Sequence, residues 1–282
     1  MTPQDPKIIL YTAGTPNGQK ISCTLEELGV RYEVRKIDIA KNEQKEGWFL
    51  EINHFNTPLG IDELKAWKAN HNPPKTANGR IPALTDNSSG QALHLFEGST
   101  IQNYLCETYD PDHRISFPHN SAEYWEAQSW LTWMQSGLGP MQGQANHFYR
   151  YAPEKIQYAV DRYQTETRRL YGVLDARLRE QEGKGEGGGL WVVGGKYSIV
   201  DLCCFSWVNW AEWAGIDTKP FPALQRWLGI IQQRPAVQRG VDVPEKFEMK
   251  EAMRTKEGEE EYAKHHSNWV MQGMKEDREK HQ

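Results

Sequence analysis

Three things are missing from this sequence, and each absence narrows what the chain can do. The four cysteines, Cys23, Cys106, Cys203 and Cys204, form no Cys-x-x-Cys pair and no metal-ligand spacing, which argues against a dithiol centre or a zinc site built on them. No apolar run approaches the roughly 20 residues that a membrane helix needs. Basic residues do not exceed acidic ones: 33 Lys and Arg face 38 Asp and Glu, for a net charge of −5, so no positive field invites nucleic acid or an anionic membrane. The first residues, MTPQDPK, also lack the apolar stretch of a secretion signal. The expectation is a cytoplasmic protein with reduced thiols, no metal, no membrane and no nucleic-acid partner; His265-His266 reads as a solvated pair.

What is present is aromatic surface, 11 Trp and 12 Tyr in 282 residues, enough to build a core from an otherwise polar composition. The first hundred residues alternate strand and helix signals. Residues 7–12 read as a strand, 17–29 as a helix with Ile21, Leu25 and Leu28 on one face, and 31–38 as a second strand reached by a crossover. A short helix around Trp48 and Phe49 follows, then strands at 81–86 and 92–96 and a helix at 98–109. That order predicts an α/β unit with helices on its sheet. Beyond Asp110-Pro111 only helical periodicity is left. Candidate helices lie at 121–147 and at 153–182, the latter with Pro153 in its first turn. Ser198-Ile199-Val200-Asp201 has the form of a capping box, and another helix starts at Phe221-Pro222. The chain therefore divides into an α/β domain over 1–110, an all-helical domain over 111–241 and a charged helical extension over 242–282. A Pro-rich insertion with a possible short helix occupies 54–77.

Three junctions of the α/β unit offer chemistry. Thr15-Pro16-Asn17-Gly18 sits where a strand becomes a helix, aiming backbone N–H groups and a helix dipole at whatever lies above; taken alone, such a turn more often only caps its helix. In Gly79-Arg80-Ile81-Pro82, Pro82 begins a strand, a place where a cis peptide is plausible and where the Ile81 backbone can pair with an extended peptide. Phe96-Glu97-Gly98-Ser99-Thr100 offers a carboxylate, helix-start N–H groups and hydroxyls, able to grip the amine and carboxylate of an amino acid. Together they describe a slot for a short anionic peptide.

In these motifs the chain resembles the cytosolic glutathione transferases. GRIPAL, FEGSTI and YSIVD match the family's cis-proline, γ-glutamyl and helix-capping signatures. TPNGQK, GLGPMQGQANHF, RYAPEKI and DRYQTETRRLYGVLDARL are similar to the nu class and its fungal, nitrogen-regulator-like branch, over residues 7–240 apart from 54–77. The resemblance implies a thioredoxin-like domain followed by a helical one, in a homodimer. It implies glutathione as co-substrate, with Thr15 giving its hydroxyl to the sulfur and Asn17 close by as the catalytic pair. Arg80 would lie near the glycyl carboxylate, Ile81 and Pro82 along the cysteinyl part, and Glu97, Gly98 and Ser99 at the γ-glutamyl end. Arg162 would belong to a second site for glutathione, glutathione disulfide or another substrate. The implied activity is transfer to an electrophile or reduction of a disulfide or peroxide by the bound thiolate, without a catalytic Cys23.

The chain departs from the family in three places. Gly98 stands where a serine is usual, and the loss of one hydrogen bond to a charged group costs roughly 1.5–3 kcal/mol. The insertion 54–77 precedes the Arg80 junction, and the extension beyond 240 is longer than usual. Gly98 and the insertion slightly favour the alternative, a non-catalytic regulatory or binding protein on the same scaffold, whereas the presence of Thr15, Asn17, Pro82 and Glu97 favours the enzyme.

Overall fold

The computed structural model describes residues 7–52, 78–184 and 189–280. The insertion 54–77, with the helix expected within it, lies outside the described residues. Four strands form one sheet: β1 (Ile8–Thr12), β2 (Tyr32–Lys36), β3 (Ala83–Asp86) and β4 (Leu93–Phe96), in the order β2-β1-β3-β4. β2 runs parallel to β1, with Ile8 opposite Tyr32 and Thr12 opposite Lys36. β3 is antiparallel to both β1 and β4. α1 (Pro16–Leu28) makes the crossover, α2 (Gly47–Ile52) precedes the insertion, and α3 (Gly98–Tyr109) follows β4.

The alternation of β1 decides which helix covers which face. Ile8 and Leu10 point into the main core with Ile21 and Leu25 of α1 and Ile101 and Leu105 of α3, whereas Tyr11 points the other way onto Phe49 of α2. The α/β unit is thus a sheet with helices on both faces, the thioredoxin-like arrangement expected.

After α3 the chain is helical. α4 (Ala122–Trp133) runs through a π turn, Met134–Leu138, into α5 (Gly139–Asn146) and a second π turn, His147–Tyr151. The single helix expected over 121–147 is therefore interrupted. Pro140 has no N–H to give to the preceding turn, so the backbone widens before it. α6 (Gln157–Gln181) starts later than expected: Ala152 is extended because it precedes Pro153, and Ile156 is extended at the N-cap, which leaves Pro153 in the connection. α7 (Ile199–Val208) is buried along its whole length, and its Ser198/Asp201 capping box is present as anticipated. α8 (Pro222–Gln232) and α9 (Pro235–Val241) follow.

The two parts are joined along α1 and α9. Gly240 lies so close to Cys23 that an added Cβ would come within 2.5 Å of the Cys23 Cα. The Ser22 hydroxyl donates to Gly240 C=O at 2.6 Å. Gln19 donates to Val241 C=O at 3.2 Å and accepts from the Trp210 indole at 2.9 Å. The first turn of α1 is therefore held from behind by the helical part.

The extension forms α10 (Met249–Ala252) and α11 (Lys256–Lys280). Its apolar side chains make a small core of their own: Met249, Phe247, Met253 and Tyr262 pack on Trp210 and Trp213. Glu259 pairs with Arg150, which also donates to Trp213 C=O at 3.0 Å. His266 is not solvated as the sequence suggested. Its ring stacks on Tyr262 at 3.9 Å and burial pushes its pKa down to about 4, while His265 is exposed. The helical spacing of Tyr262 and His266 brings them together on the packed face.

Candidate active site

At the end of β1, Ala13 and Gly14 lead into Thr15, which is extended (φ −131°, ψ 161°) and caps α1. Its hydroxyl oxygen accepts from the Gly18 N–H at 3.1 Å. The hydroxyl hydrogen therefore stays available as a donor. The first-turn donors are otherwise spent: Pro16 has no N–H and the Gln19 N–H goes to Thr15 C=O at 2.9 Å. Asn17 N–H is the one first-turn donor without a partner among the described residues, at the positive end of the α1 dipole. Gly18 is needed for space. A Cβ there would meet Ala13 C=O and the Thr12 hydroxyl, each at 2.3 Å.

Thr15 opens into a cleft of about 850 Å³. One wall is the chain after β2, with Ile37 and Ile39. The other is the extension, with Phe247, Tyr262 and His266. The helical tail thus lies against the candidate thiolate position, a placement that the sequence left open between the second-substrate pocket and a dimer edge.

The second junction has the cis Ile81–Pro82 bond that the sequence made plausible. Pro82 is buried. Ile81 packs with Tyr11, Ile37 and Phe49 and sits two residues before the ladder, which begins at Ala83 opposite Tyr11. Arg80 is exposed beside Lys45, whose own pKa is lowered by burial and by that neighbouring guanidinium.

At the third junction Glu97 adopts a left-handed backbone, φ 67°, unusual for a residue other than glycine. Its exposed carboxylate is gripped from two sides: Asn78 donates to one oxygen at 3.2 Å, and Gln135 donates to the other at 3.1 Å. Gly98 begins α3 and Ser99 follows, half-buried. Behind Gly98 lies Lys20 of α1, only 1% exposed, whose ammonium donates to Gln135 Oε1 at 2.8 Å. Burial lowers the Lys20 pKa, opposed by the charge of Glu97 among other groups.

Thr15, Asn17, Ile81, Pro82, Glu97, Gly98 and Ser99 thus lie at the ends of β1, β3 and β4 and the starts of α1 and α3. Arg162 is exposed on α6 and its described interaction is with Glu166 on its own helix. Cys23 is buried, and desolvation with nearby Glu27 and Glu26 pushes its thiol up, the opposite of an activated nucleophile. The other three thiols are buried as well. Among the described residues no His, Cys, Asp or Glu group clusters to hold a metal ion, and no helix is long and apolar enough to cross a membrane.

Sequence reading missed Lys20 and Gln135. Gln135 lies in a π turn, which no apolar periodicity reveals. Lys20 had a weak signal, a lysine on the face of α1 that turns toward α3. Gln44 was also missed: it is buried beside Gly79, and its Oε1 has no partner among the described residues.

Residues 6–107 match the family model for the N-terminal domain of glutathione S-transferase, and residues 132–235 that for its C-terminal domain. The chain belongs to the glutathione S-transferase family. It is 37% identical over 232 residues to the disulfide-bond oxidoreductase YfcG of Escherichia coli, covering 81% of this chain and 92% of the relative. Among solved structures, a glutathione transferase homologue from Lodderomyces elongisporus with two glutathione molecules per subunit superposes with a TM-score of 0.72 at 38% identity, covering 84% of this chain and 98% of the other. URE2P8 of Phanerochaete chrysosporium, with oxidised glutathione, gives 0.70 at 29% identity, covering 90% and 100%.

Proposed function

We propose that this glutathione S-transferase family member binds glutathione across its α/β domain and uses the bound thiolate, either as a nucleophile on an electrophile or as the reductant of a disulfide or peroxide. The observation that carries the reading is Thr15. Its oxygen is occupied by Gly18 N–H, so its hydrogen can be donated to a sulfur anion in the cleft. With the Asn17 N–H and the dipole of α1, that gives fixed donors where negative charge must be held. The relatives named disulfide-bond oxidoreductase or solved with glutathione disulfide support the reductive branch. There the thiolate attacks one sulfur of the substrate disulfide and expels the other as a thiolate. A second glutathione then resolves the mixed disulfide, so two glutathione thiols become one disulfide.

In this reading Arg80 steers the glycyl carboxylate, the Ile81 backbone pairs with the cysteinyl unit beside Pro82, and Glu97 with the Gly98 and Ser99 N–H groups holds the γ-glutamyl end. Arg162 serves a second glutathione at most from outside the cleft. The same reading takes domain limits at 110 and 241, a nu-like fungal branch, a homodimer and a cytoplasmic setting.

Calorimetric titration with reduced glutathione and with its disulfide tests the proposal. Binding of either between micromolar and low millimolar is expected. No heat at several millimolar of either ligand contradicts it and favours the regulatory reading, to which the extension along the cleft lends weight.

A further inference from the structure

A lysine inside a protein needs a reason. Lys20 is 1% exposed, carries three donors, and has one acceptor among the described residues, the neutral Gln135 Oε1. A methionine would fill the same space without taking an ammonium out of water. Packing alone therefore does not account for it.

The geometry around it has a direction. An ammonium only donates, so it forces the Gln135 amide to present oxygen inward and nitrogen outward. The outward nitrogen meets Glu97 Oε2 at 3.1 Å, while Asn78 fixes Oε1 at 3.2 Å. Without the cation, the Gln135 amide could turn over and set its oxygen against the carboxylate. The chain of bonds crosses from α1, through the helical domain, to the junction before α3. Gly98 makes room for it: a Cβ at that position would lie 3.0 Å from Lys20 Cδ and 3.1 Å from its Nζ. The residue that departs from the family's serine is thus the one against which the lysine chain lies.

We propose that Lys20 is a positioning residue for ligand recognition, acting through Gln135 to hold the Glu97 carboxylate in place for the γ-glutamyl amine. This rests on the glutathione-binding reading above. The cation, the amide and the carboxylate act as one unit, and removing either inner member leaves Glu97 held by Asn78 alone.

The test compares glutathione with its analogue lacking the γ-glutamyl amine (glutaryl-cysteinyl-glycine), each titrated calorimetrically into the full-length protein. The wild type is expected to prefer glutathione at least tenfold. In Lys20→Met and in Gln135→Leu the preference falls to threefold or less, and the double variant is no worse than either single one, because both changes break the same relay. A purely structural role for Lys20 would weaken both ligands alike and leave their ratio unchanged. Gln135 is half-buried, so its variant carries the test if Lys20→Met does not fold. A ratio within twofold of wild type in the folded variants overturns the relay alone. A wild type that binds glutathione without preference over the analogue overturns the role of Glu97 that the relay serves. A wild type that binds neither ligand overturns the functional reading and the relay with it.

Discussion

At the residue scale the site is a set of groups whose freedom has been removed. Thr15 has one of its hydrogen-bonding roles fixed by Gly18, and Glu97 has both carboxylate oxygens engaged. Gly98 sets a limit on size. Gly98→Ala adds no charge and removes no donor, yet its methyl group must push the end of the buried Lys20 chain aside by a few tenths of an ångström, and with it the ammonium that holds Gln135. We expect glutathione to bind threefold to tenfold more weakly to Gly98→Ala, with the melting temperature little changed; unaltered affinity would mean that Lys20 yields without consequence. Much of this scale was legible in advance. Thr15, Asn17, Ile81, Pro82, Glu97 and Ser99 sit at strand–helix junctions, and junctions announce themselves through turn residues. Lys20 and Gln135 were not legible because their importance lies in contacts between residues 115 positions apart.

At the element scale the extension matters most. α11 lies along the cleft and is held by Tyr262 on Trp213 and by Glu259 with Arg150; within the helix His266 stacks on Tyr262. The His266 ring accepts no charge readily there. Burial and the neighbouring His265 lower its pKa to about 4, while the Tyr262 C=O bond and Glu245 oppose that shift. A group whose folded pKa lies below its unfolded value stabilises the fold above the unfolded value, near 6.5, and loses that contribution as pH falls toward 4. Acidification from pH 7 to 5 should therefore loosen the extension. Amide hydrogen exchange in residues 256–266 should rise by roughly threefold to tenfold beyond the intrinsic change, discounted for partial exposure of the ring. His266→Gln should show a smaller rise. An equal rise in both would assign the effect to other groups. The tail's helix was foreseeable from sequence, but its packed face was not: charged residues dominate it, and the few aromatic ones gain meaning only beside Trp210 and Trp213.

At the scale of the whole molecule, two units share the work. The α/β unit supplies strand ends and helix starts, which are the places where backbone donors remain unspent. The helical unit braces α1 through Gly240, Val241 and Trp210 and reaches over with Gln135. The alternation of β1 and the apolar face of α1 made the first unit readable. The interruption of the long helix at the π turns was not readable, because a widened turn keeps almost the same apolar pattern as a regular one. The late start of α6 follows from the extended backbone of Ile156 at its N-cap; Pro153 is as compatible with a connection as with a first helical turn, so it could not show this in the sequence.

If Thr15 and the start of α1 stabilise a sulfur anion, the ionisation of bound glutathione must register it. Thiolate absorbance would be followed against pH for saturated wild type and for Thr15→Ala. A free thiol of this kind titrates near 8.5. The bound thiol is expected to titrate at least about one unit lower, equivalent to about 1.4 kcal/mol, with most of that shift lost in Thr15→Ala. A bound thiol that titrates like the free one, or a shift that survives intact in Thr15→Ala, would contradict it.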